Sequence, residues 1–200
     1  MKKSTKELIL EVSLKLFSTN GYKATTVRDI AKIVGITQSG LYNHFRNKED
    51  ILDTLINTLM ESAVVKLFEN RDIEDIAESG KSFLFSIATT FKLISFDKKN
   101  EALSKLLMQE LYKNSKIRYT YSQFFYQNNV KKLSDVFSIM IQKEKIRDND
   151  PIMLANEFFA PLFFYQMQVH LLKIDGKPTS SLVTMFEKHV DYFWNNIKIS

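Results

Sequence analysis

Residues 38–44 near the N-terminus, QSGLYNH, combine side-chain types that can read the bases of DNA. In a helix that turned Leu41 inward, the polar side chains of this segment would share the exposed side. Gln and Asn amides pair with adenine through two hydrogen bonds, and Ser and His can meet several base edges. The spacing therefore predicts contact with base edges in the major groove from Gln38, Ser39, Asn43 and His44, with Tyr42 on the same exposed side.

Residues around this segment suit the phosphate backbone. Phosphate oxygens accept hydrogen bonds from hydroxyls, from backbone amides at helix starts and from cations. Gly40 has no side chain, which would let the helix backbone approach the groove. Arg28 suits either a phosphate or a base. A purely structural interpretation stays open, in which the two threonines only cap helices and Tyr42 packs on the first helix. The phosphate candidates are Thr26, Thr37, Tyr42 and Lys48.

These side chains need two short helices joined by a sharp turn. Thr26 and Thr37 are suited to cap the two helices. Gly35 supplies the left-handed backbone conformation that the turn requires. The second helix is expected over about 38–45. The inward side chains follow helical spacing and are Val27, Ile30, Ala31 and Val34 in the first helix and Leu41 and Phe45 in the second.

The positive charge of the chain is concentrated around this motif. The whole chain has a net charge of +5. Residues 1–48 contain nine Lys or Arg and three Asp or Glu, a net charge of +6, whereas the other 152 residues sum to −1. Because DNA is a polyanion, a basic segment that coincides with a helix-turn-helix pattern favours a nucleic-acid partner.

The rest of the chain is also expected to be helical. Five Gly, three Pro and little strand-like alternation favour an all-α fold of about nine helices. We expect one domain over 1–48, which contains the helix-turn-helix, and a second helical domain over 49–200. Helix 4, capped by Asn47, links the two. Later helices are expected at 72–96, 101–112, 116–146, 151–173 and 179–198.

The composition argues against several classes of function. The chain has no Cys, so thiol catalysis and thiolate metal sites are excluded and a reducing compartment is expected. His44, His170 and His189 lack a metal-ligand spacing, and no nucleophile motif or Gly-rich phosphate loop occurs. No apolar run approaches the length of about 18 residues that a membrane span needs. We therefore expect a soluble cytoplasmic protein that is not an enzyme and needs no metal, cofactor or membrane.

One longer run is similar to a known family. The segment TTVRDIAKIVGITQSGLYNHFRNKEDIL, with LKLFSTNGYKATT before it, closely resembles the TetR family of bacterial transcriptional regulators over residues 5–60. The resemblance implies a three-helix DNA-binding domain over 1–48 and a helical ligand-binding and dimerisation domain over 49–200. It also implies a repressor that binds a palindromic operator as a dimer and is released by a small-molecule effector. The DNA contacts of the family correspond by position to Thr26, Arg28, Thr37, Gln38, Ser39, Gly40, Tyr42, Asn43, His44 and Lys48.

The last two predicted helices are the candidates for dimerisation. The helix over 151–173 is apolar nearly all round, so one of its faces must meet something besides its own core. Similarity to the TetR family implies a two-fold interface of four helices, and a single large monomeric core is the alternative. The expected interface residues are Phe158, Leu162, Val183, Phe186, Val190, Phe193 and Trp194.

Aromatic and Met residues of the central helices are candidates for an effector cavity. Small-molecule pockets are mostly apolar with a few polar groups that fix the ligand. For any one of these residues, packing in the core is the alternative role. The expected effector is an unknown hydrophobic molecule. The candidate lining residues are Phe91, Met108, Tyr112, Phe125, Tyr126, Met140, Tyr165 and Gln168.

Two other functions fit the same scaffold. One is a DNA-binding nucleoid-associated or division-linked protein without effector control. It would differ from a repressor in the number of genomic sites that it occupies and in its indifference to small molecules. The other is a ligand sensor whose N-terminal domain no longer binds DNA. The intact segment 38–48 and the basic N-terminal quarter argue against this second alternative.

Overall fold

The chain is helical throughout the part that the structure describes. The structure is a computed structural model and describes residues 3–60, 63–69 and 71–199. The all-α fold is confirmed, and no helix in these ranges has the length and apolarity needed to cross a membrane. The helices are α1 (Thr5–Asn20), α2 (Val27–Val34), α3 (Gln38–Tyr42), α4 (Lys48–Met60), α5 (Ala63–Lys66), α6 (Ile73–Ser79), α7 (Lys81–Phe96), α8 (Lys98–Leu111), α9 (Ser115–Phe125), α10 (Lys132–Gln142), α11 (Pro151–Ile174) and α12 (Met185–Ile197), with a π-helical segment (Tyr126–Lys131) before α10 and a 3₁₀ turn (Ser180–Leu182) before α12.

The helices divide into two compact units. The first unit consists of Met1–Glu61 and Lys98–Thr120, and the second unit consists of Ser62–Asp97 and Tyr121–Ser200. The first unit therefore adds α8 and the start of α9 to the N-terminal helices. The expected boundary after residue 48 would separate α4 from those helices, whereas α4 packs against α1 and α8 inside the first unit.

Apolar side chains from each helix of the first unit form its core. α1 packs against α2, α4 and α8, which gathers four helices around one apolar centre. Because α2 and α3 bury their inner faces here, the side chains on their outer faces are held in fixed positions. Fully or almost fully buried members are Ile9, Phe17, Ile30, Leu41, Phe45, Ile51, Leu52, Leu103, Leu106 and Ile117.

The core of the second unit is formed mainly by α7, α10, α11 and α12. α11 packs against α7, α10 and α12, and α12 also packs against α7. His189 of α12 is buried beside α11, where its Nε2–H donates to the carbonyl oxygen of Phe158 at 2.9 Å. Burial lowers the pKa of His189, so the ring is neutral at neutral pH. The largest buried side chains are Phe83, Phe137, Phe158, Phe159 and Phe186.

Two helix boundaries differ from the sequence prediction for local reasons. Gly80 adopts φ 55° and divides the expected helix 72–96 into α6 and α7. α10 ends at Gln142, and the chain then extends so that Ile146 and Lys198 form an isolated antiparallel bridge. The described helices outnumber the nine expected because Gly80 separates α6 from α7, the π-helical segment separates α9 from α10, and α5 was not expected.

Candidate DNA-binding site

The start of α2 is fixed by a capping box between Thr26 and Asp29. The amide of Asp29 donates to Oγ1 of Thr26 at 3.2 Å, and the amide of Thr26 donates to the Asp29 carboxylate at 2.9 Å. The Thr26 hydroxyl donates to the same carboxylate at 2.6 Å. These hydrogen bonds lower the pKa of Asp29, which is ionised at neutral pH. Since the Thr26 side chain is engaged as a cap, a phosphate here would meet the free amides of the first turn.

A left-handed glycine joins α2 to α3. Gly35 has φ 80° and ψ 33°, and the amides of Gly35 and Ile36 both donate to the carbonyl oxygen of Ala31 at 3.0 Å. Thr37 then caps α3 by accepting a hydrogen bond from the amide of Gly40 at 3.0 Å. Because a residue with a Cβ is strained at such a φ, the angle between α2 and α3 depends on Gly35.

The outer side of α3 carries the polar residues that the sequence predicted. Leu41 and Phe45 are buried, as expected. The helix ends at Tyr42 instead of residue 45, and the amides of His44 and Phe45 continue as a turn onto the carbonyl oxygen of Leu41. Tyr42 is 50% exposed, so it is not part of the core. The exposed members of the predicted site are Thr26, Arg28, Thr37, Gln38, Ser39, Tyr42, Asn43 and His44.

The space around Gly40 is limited by the residues that begin α3. A Cβ at this position would lie 3.3 Å from Oγ1 of Thr37 and 3.7 Å from Cβ of Ile36. The first distance is shorter than an ordinary van der Waals contact, so a side chain would press on the hydroxyl that caps α3. The cap of α3 therefore favours a small residue here, in addition to the groove approach expected from the sequence.

Lys48 reaches from the start of α4 to the turn between α1 and α2. Its Nζ donates to the carbonyl oxygens of Tyr22 and Thr25, each at 2.8 Å, and lies 4.3 Å from the centroid of the Tyr22 ring. Burial lowers the pKa of Lys48. An ammonium group has three N–H donors, so one remains for a phosphate while two hold the turn. Lys48 thus stabilises the first unit, a role that the sequence prediction missed.

Arg46 is a further basic residue that the sequence prediction left out of the site. Its side chain is 86% exposed and follows the turn after α3. The Arg46 amide and guanidinium donate to the Asp50 carboxylate at 2.9 and 3.4 Å. Most of the guanidinium still faces solvent, where it can meet a phosphate. Its charge and its position two residues after His44 were the available signal.

Of the seven residues expected at the dimer interface, five are buried in the core of their own protomer and are not available to a partner. The apolar stripe of α12 was assigned to a partner, but it faces the core of its own protomer. Trp194 lies against Gly80, where an added Cβ would be 3.3 Å from the indole ring, and Val183 is half-buried. The predicted interface residues that are buried in the core are Phe158, Leu162, Phe186, Val190 and Phe193.

Another face of α11 is apolar and exposed. Four of its side chains follow one another at intervals of three or four residues, and each is between 45 and 62% exposed. That spacing places them on one side of the helix. We call this set the α11 stripe. It consists of Phe164, Met167, Leu171 and Ile174.

The candidate effector residues are divided between the units. Met108 and Tyr112 belong to the first unit, where Tyr112 is 88% exposed, a poor match to a cavity lining. Met140 is fully buried in the core of the second unit, whereas Tyr126 is exposed there. The candidates that the second unit holds are Phe91, Phe125, Tyr126, Met140, Tyr165 and Gln168.

An aromatic cluster in the second unit surrounds two of these candidates. The ring of Phe163 lies 4.6 Å from that of Phe125 and 5.1 Å from that of Phe91, measured between centroids. Tyr121 stacks on Phe125 at 6.1 Å, and burial raises the pKa of Tyr121 to about 12. In the π-helical segment, the side-chain oxygen of Asn129 is buried and has no hydrogen-bond partner among the described residues. Phe159 completes the ring cluster.

These features define a helix-turn-helix DNA-binding unit followed by a second helical unit. Residues 9–55 match the family model described as bacterial regulatory proteins, tetR family. Over these residues the chain is similar to the TetR family.

Named relatives match stretches of different length. The uncharacterized HTH-type transcriptional regulator YhgD of Bacillus subtilis (strain 168) is 39% identical over 64 residues, which are 32% of this chain and 34% of that protein. The chain thus spans about a third of the length of the first curated relatives it matches. The fatty acid metabolism regulator protein of the same strain is 24% identical over 149 residues, 74% of each protein.

A solved structure extends the similarity of fold to nearly the whole chain. The crystal structure of the transcriptional regulator FadR from Bacillus subtilis, in complex with stearoyl-CoA, has a TM-score of 0.70 at 21% identity. The match covers 94% of this chain and 96% of that chain. The fold is therefore similar in both units.

Proposed function

We propose that this protein is a transcriptional repressor that binds a palindromic operator as a homodimer and is released by a hydrophobic effector. The observation that carries the proposal is the exposed polar side of α3, positioned by the Gly35 turn and by the caps at Thr26 and Thr37. The net charge of +6 over residues 1–48 supports a polyanionic partner. In this role Gln38 and Asn43 pair with base edges.

A second copy of the chain is the proposed partner of the α11 stripe. In a two-fold dimer each protomer uses the same surface patch, so one stripe that is complementary to itself is enough to form the interface. The spacing of its apolar residues is that of helices that pack nearly in parallel. Two copies of α3 would then read half-sites about 34 Å apart on one side of B-DNA.

The aromatic cluster of the second unit is the proposed effector site. The rings of Phe91, Phe125 and Phe163 offer apolar surface, and the unpaired oxygen of Asn129 can accept one hydrogen bond from a ligand. The FadR structure with stearoyl-CoA supports a hydrophobic effector for this fold. Native mass spectrometry of protein purified from its host tests this part, and the expected result is a bound hydrophobic molecule.

The experiment that tests the main proposal is the selection of binding sites from random DNA, followed by titration of the selected duplex. A palindromic consensus is the expected result. Gln38→Ala should relax discrimination at one base pair per half-site by about 1–3 kcal/mol, since a bidentate contact is lost. Gln142→Ala is the matched control, because this glutamine is exposed in the second unit.

A different result would contradict the proposal. If no consensus emerges, or if the protein occupies the genome broadly regardless of small molecules, the nucleoid-associated alternative is favoured instead. A loss of affinity for Gln38→Ala that is equal on all duplexes would show that Gln38 does not read bases.

A further inference from the structure

A groove in the first unit has the size of a small-molecule site. α1, α4 and α8 form its walls, and its volume is about 580 Å³. Ligand pockets in proteins commonly measure about 300–1,000 Å³. The groove belongs to the DNA-binding unit, so it differs from the aromatic cluster of the second unit.

The floor of this groove is apolar and elongated. Leu14, Leu55 and Leu103 line it and are buried, and one of them comes from each of the three helices. Within α1 the lining extends from Glu7 to Ser18, which corresponds to about 16 Å of helix at a rise of about 1.5 Å per residue, and Lys3 adds to it just before the helix. A long apolar floor suits an extended aliphatic chain.

The two carboxylates at the rim are already engaged. Glu11 lies 2.6 Å from Nζ of Lys3. The Glu7 carboxylate accepts hydrogen bonds from the amide and the hydroxyl of Ser4, at 2.7 and 2.9 Å. These bonds, and to a smaller extent the charges of Lys3 and Lys99, lower the pKa of Glu7, which is ionised and hydrogen-bonded to its own helix start. Neither carboxylate needs a cation from a ligand.

Three lysines at the rim, in contrast, are not paired with a carboxylate within the described ranges. Lys15, Lys98 and Lys99 line the groove and are exposed, and none of them forms an ion pair within the described ranges. Lys98 and Lys99 are the first two residues of α8, where the helix dipole also favours negative charge. The rim therefore has a surplus of positive charge beside an apolar floor.

We propose that this groove binds an amphipathic anion. Its aliphatic chain lies along the leucine floor, and its carboxylate or phosphate is held by Lys98 and Lys99. Because α1 packs against α2 and α8, an occupant changes the packing that positions the DNA-binding helices. Such a ligand adjusts operator affinity from inside the first unit, without an effector in the second. This last consequence rests on the proposed function, whereas binding in the groove does not.

Isothermal titration calorimetry of the full chain with decanoate, decyl phosphate and decanol tests the proposal. Both anions are expected to bind, and decanol at least 10-fold more weakly. The double variant Lys98→Glu with Lys99→Glu should weaken anion binding at least 10-fold. The matched control is Lys105→Glu with Lys113→Glu, which changes two exposed lysines of the first unit outside the groove lining and should shift the affinity less than 2-fold.

A steric variant separates the groove from general surface charge. Ala102→Phe places a ring among the lining residues and should weaken both anions at least 10-fold while the charge stays constant. A preference for decanoate or for decyl phosphate supports the site and identifies its head group. The proposal is overturned if decanol binds as tightly as decanoate, or if the Lys98 and Lys99 double variant keeps full affinity for the anions. Operator binding without any added anion is unaffected by these outcomes, so a failure here is distinct from a failure of the proposed repressor.

Discussion

The two units of this protein present different kinds of surface to their surroundings. The first unit turns polar side chains and capped helix starts outward, as at Thr26, Thr37 and Gln38. The second unit exposes the apolar α11 stripe. A cap is fixed by hydrogen bonds over three or four residues, so its geometry is local. Which face of an apolar helix is buried depends instead on distant packing partners. The surface that we propose for DNA recognition therefore depends on local structure, and the surface that we propose for self-association depends on tertiary packing.

The largest expected effect tests the assignment of the apolar residues to the core. Phe158→Ala should lower the free energy of unfolding by about 3–5 kcal/mol, because Phe158 is fully buried and its removal leaves a cavity. Urea denaturation measures the change. Leu93→Ala, at a side chain that is 65% exposed, is the control and should change stability by no more than about 0.5 kcal/mol. A loss below about 1 kcal/mol for Phe158→Ala would place this residue outside the core.

The next effect concerns association and leaves the protomer fold intact. Leu171→Glu puts a charge into the α11 stripe and should weaken self-association by about 2 kcal/mol or more, roughly 30-fold. Sedimentation equilibrium measures the dissociation constant, and circular dichroism verifies the helix content. The matched control Leu93→Glu introduces the same charge at an exposed leucine of α7. If both variants dissociate alike, or neither does, the stripe is not the interface.

Lys48 connects local structure to recognition and should show two effects at once. Lys48→Met removes the donor shared by the carbonyl oxygens of Tyr22 and Thr25, so stability should fall by about 1–3 kcal/mol. The slope of log affinity against log salt concentration should also fall by about 0.9, as expected for one lost phosphate contact. Lys105→Met, an exposed lysine of α8, is the control for both measurements. If this slope is unchanged, Lys48 does not contact a phosphate and has only its structural role.

The smallest effect tests how local the cap of α2 is. Hydrogen bonds from Thr26 lower the pKa of Asp29 in the folded state. These bonds therefore stabilise the fold fully above the ordinary pKa of Asp, about 3.9. The stabilisation is lost as the pH falls through the lowered pKa of folded Asp29. The stability difference between wild type and Thr26→Val should therefore narrow in acid. Denaturant titrations between neutral pH and about pH 3 measure this. Thr19→Val, at an exposed threonine of α1, should give a difference that does not change with pH.

The same contrast explains which assignments could be made from the sequence. Gly35 and the caps at Thr26 and Thr37 could be placed because each is defined by neighbours only a few residues away. The sequence could not show which of Phe158 and Phe164 is buried, since α11 is apolar nearly all round and no single apolar face stands out. One is fully buried and the other is exposed. The groove could not be predicted either, because it requires α8, which begins at residue 98, to pack against α1, which ends at residue 20.

The contact between Trp194 and Gly80 gives the chain an optical probe of one unit. Trp194 is the single tryptophan of the sequence, and its ring is held against the turn before α7 in the second unit. Indole emission depends on solvation, so tryptophan fluorescence follows the second unit, while far-ultraviolet circular dichroism follows the helices of both. Coincident melting curves would describe one cooperative transition, and separate curves would give each unit its own midpoint. The natural sequence thus permits the two units to be observed separately without any attached label.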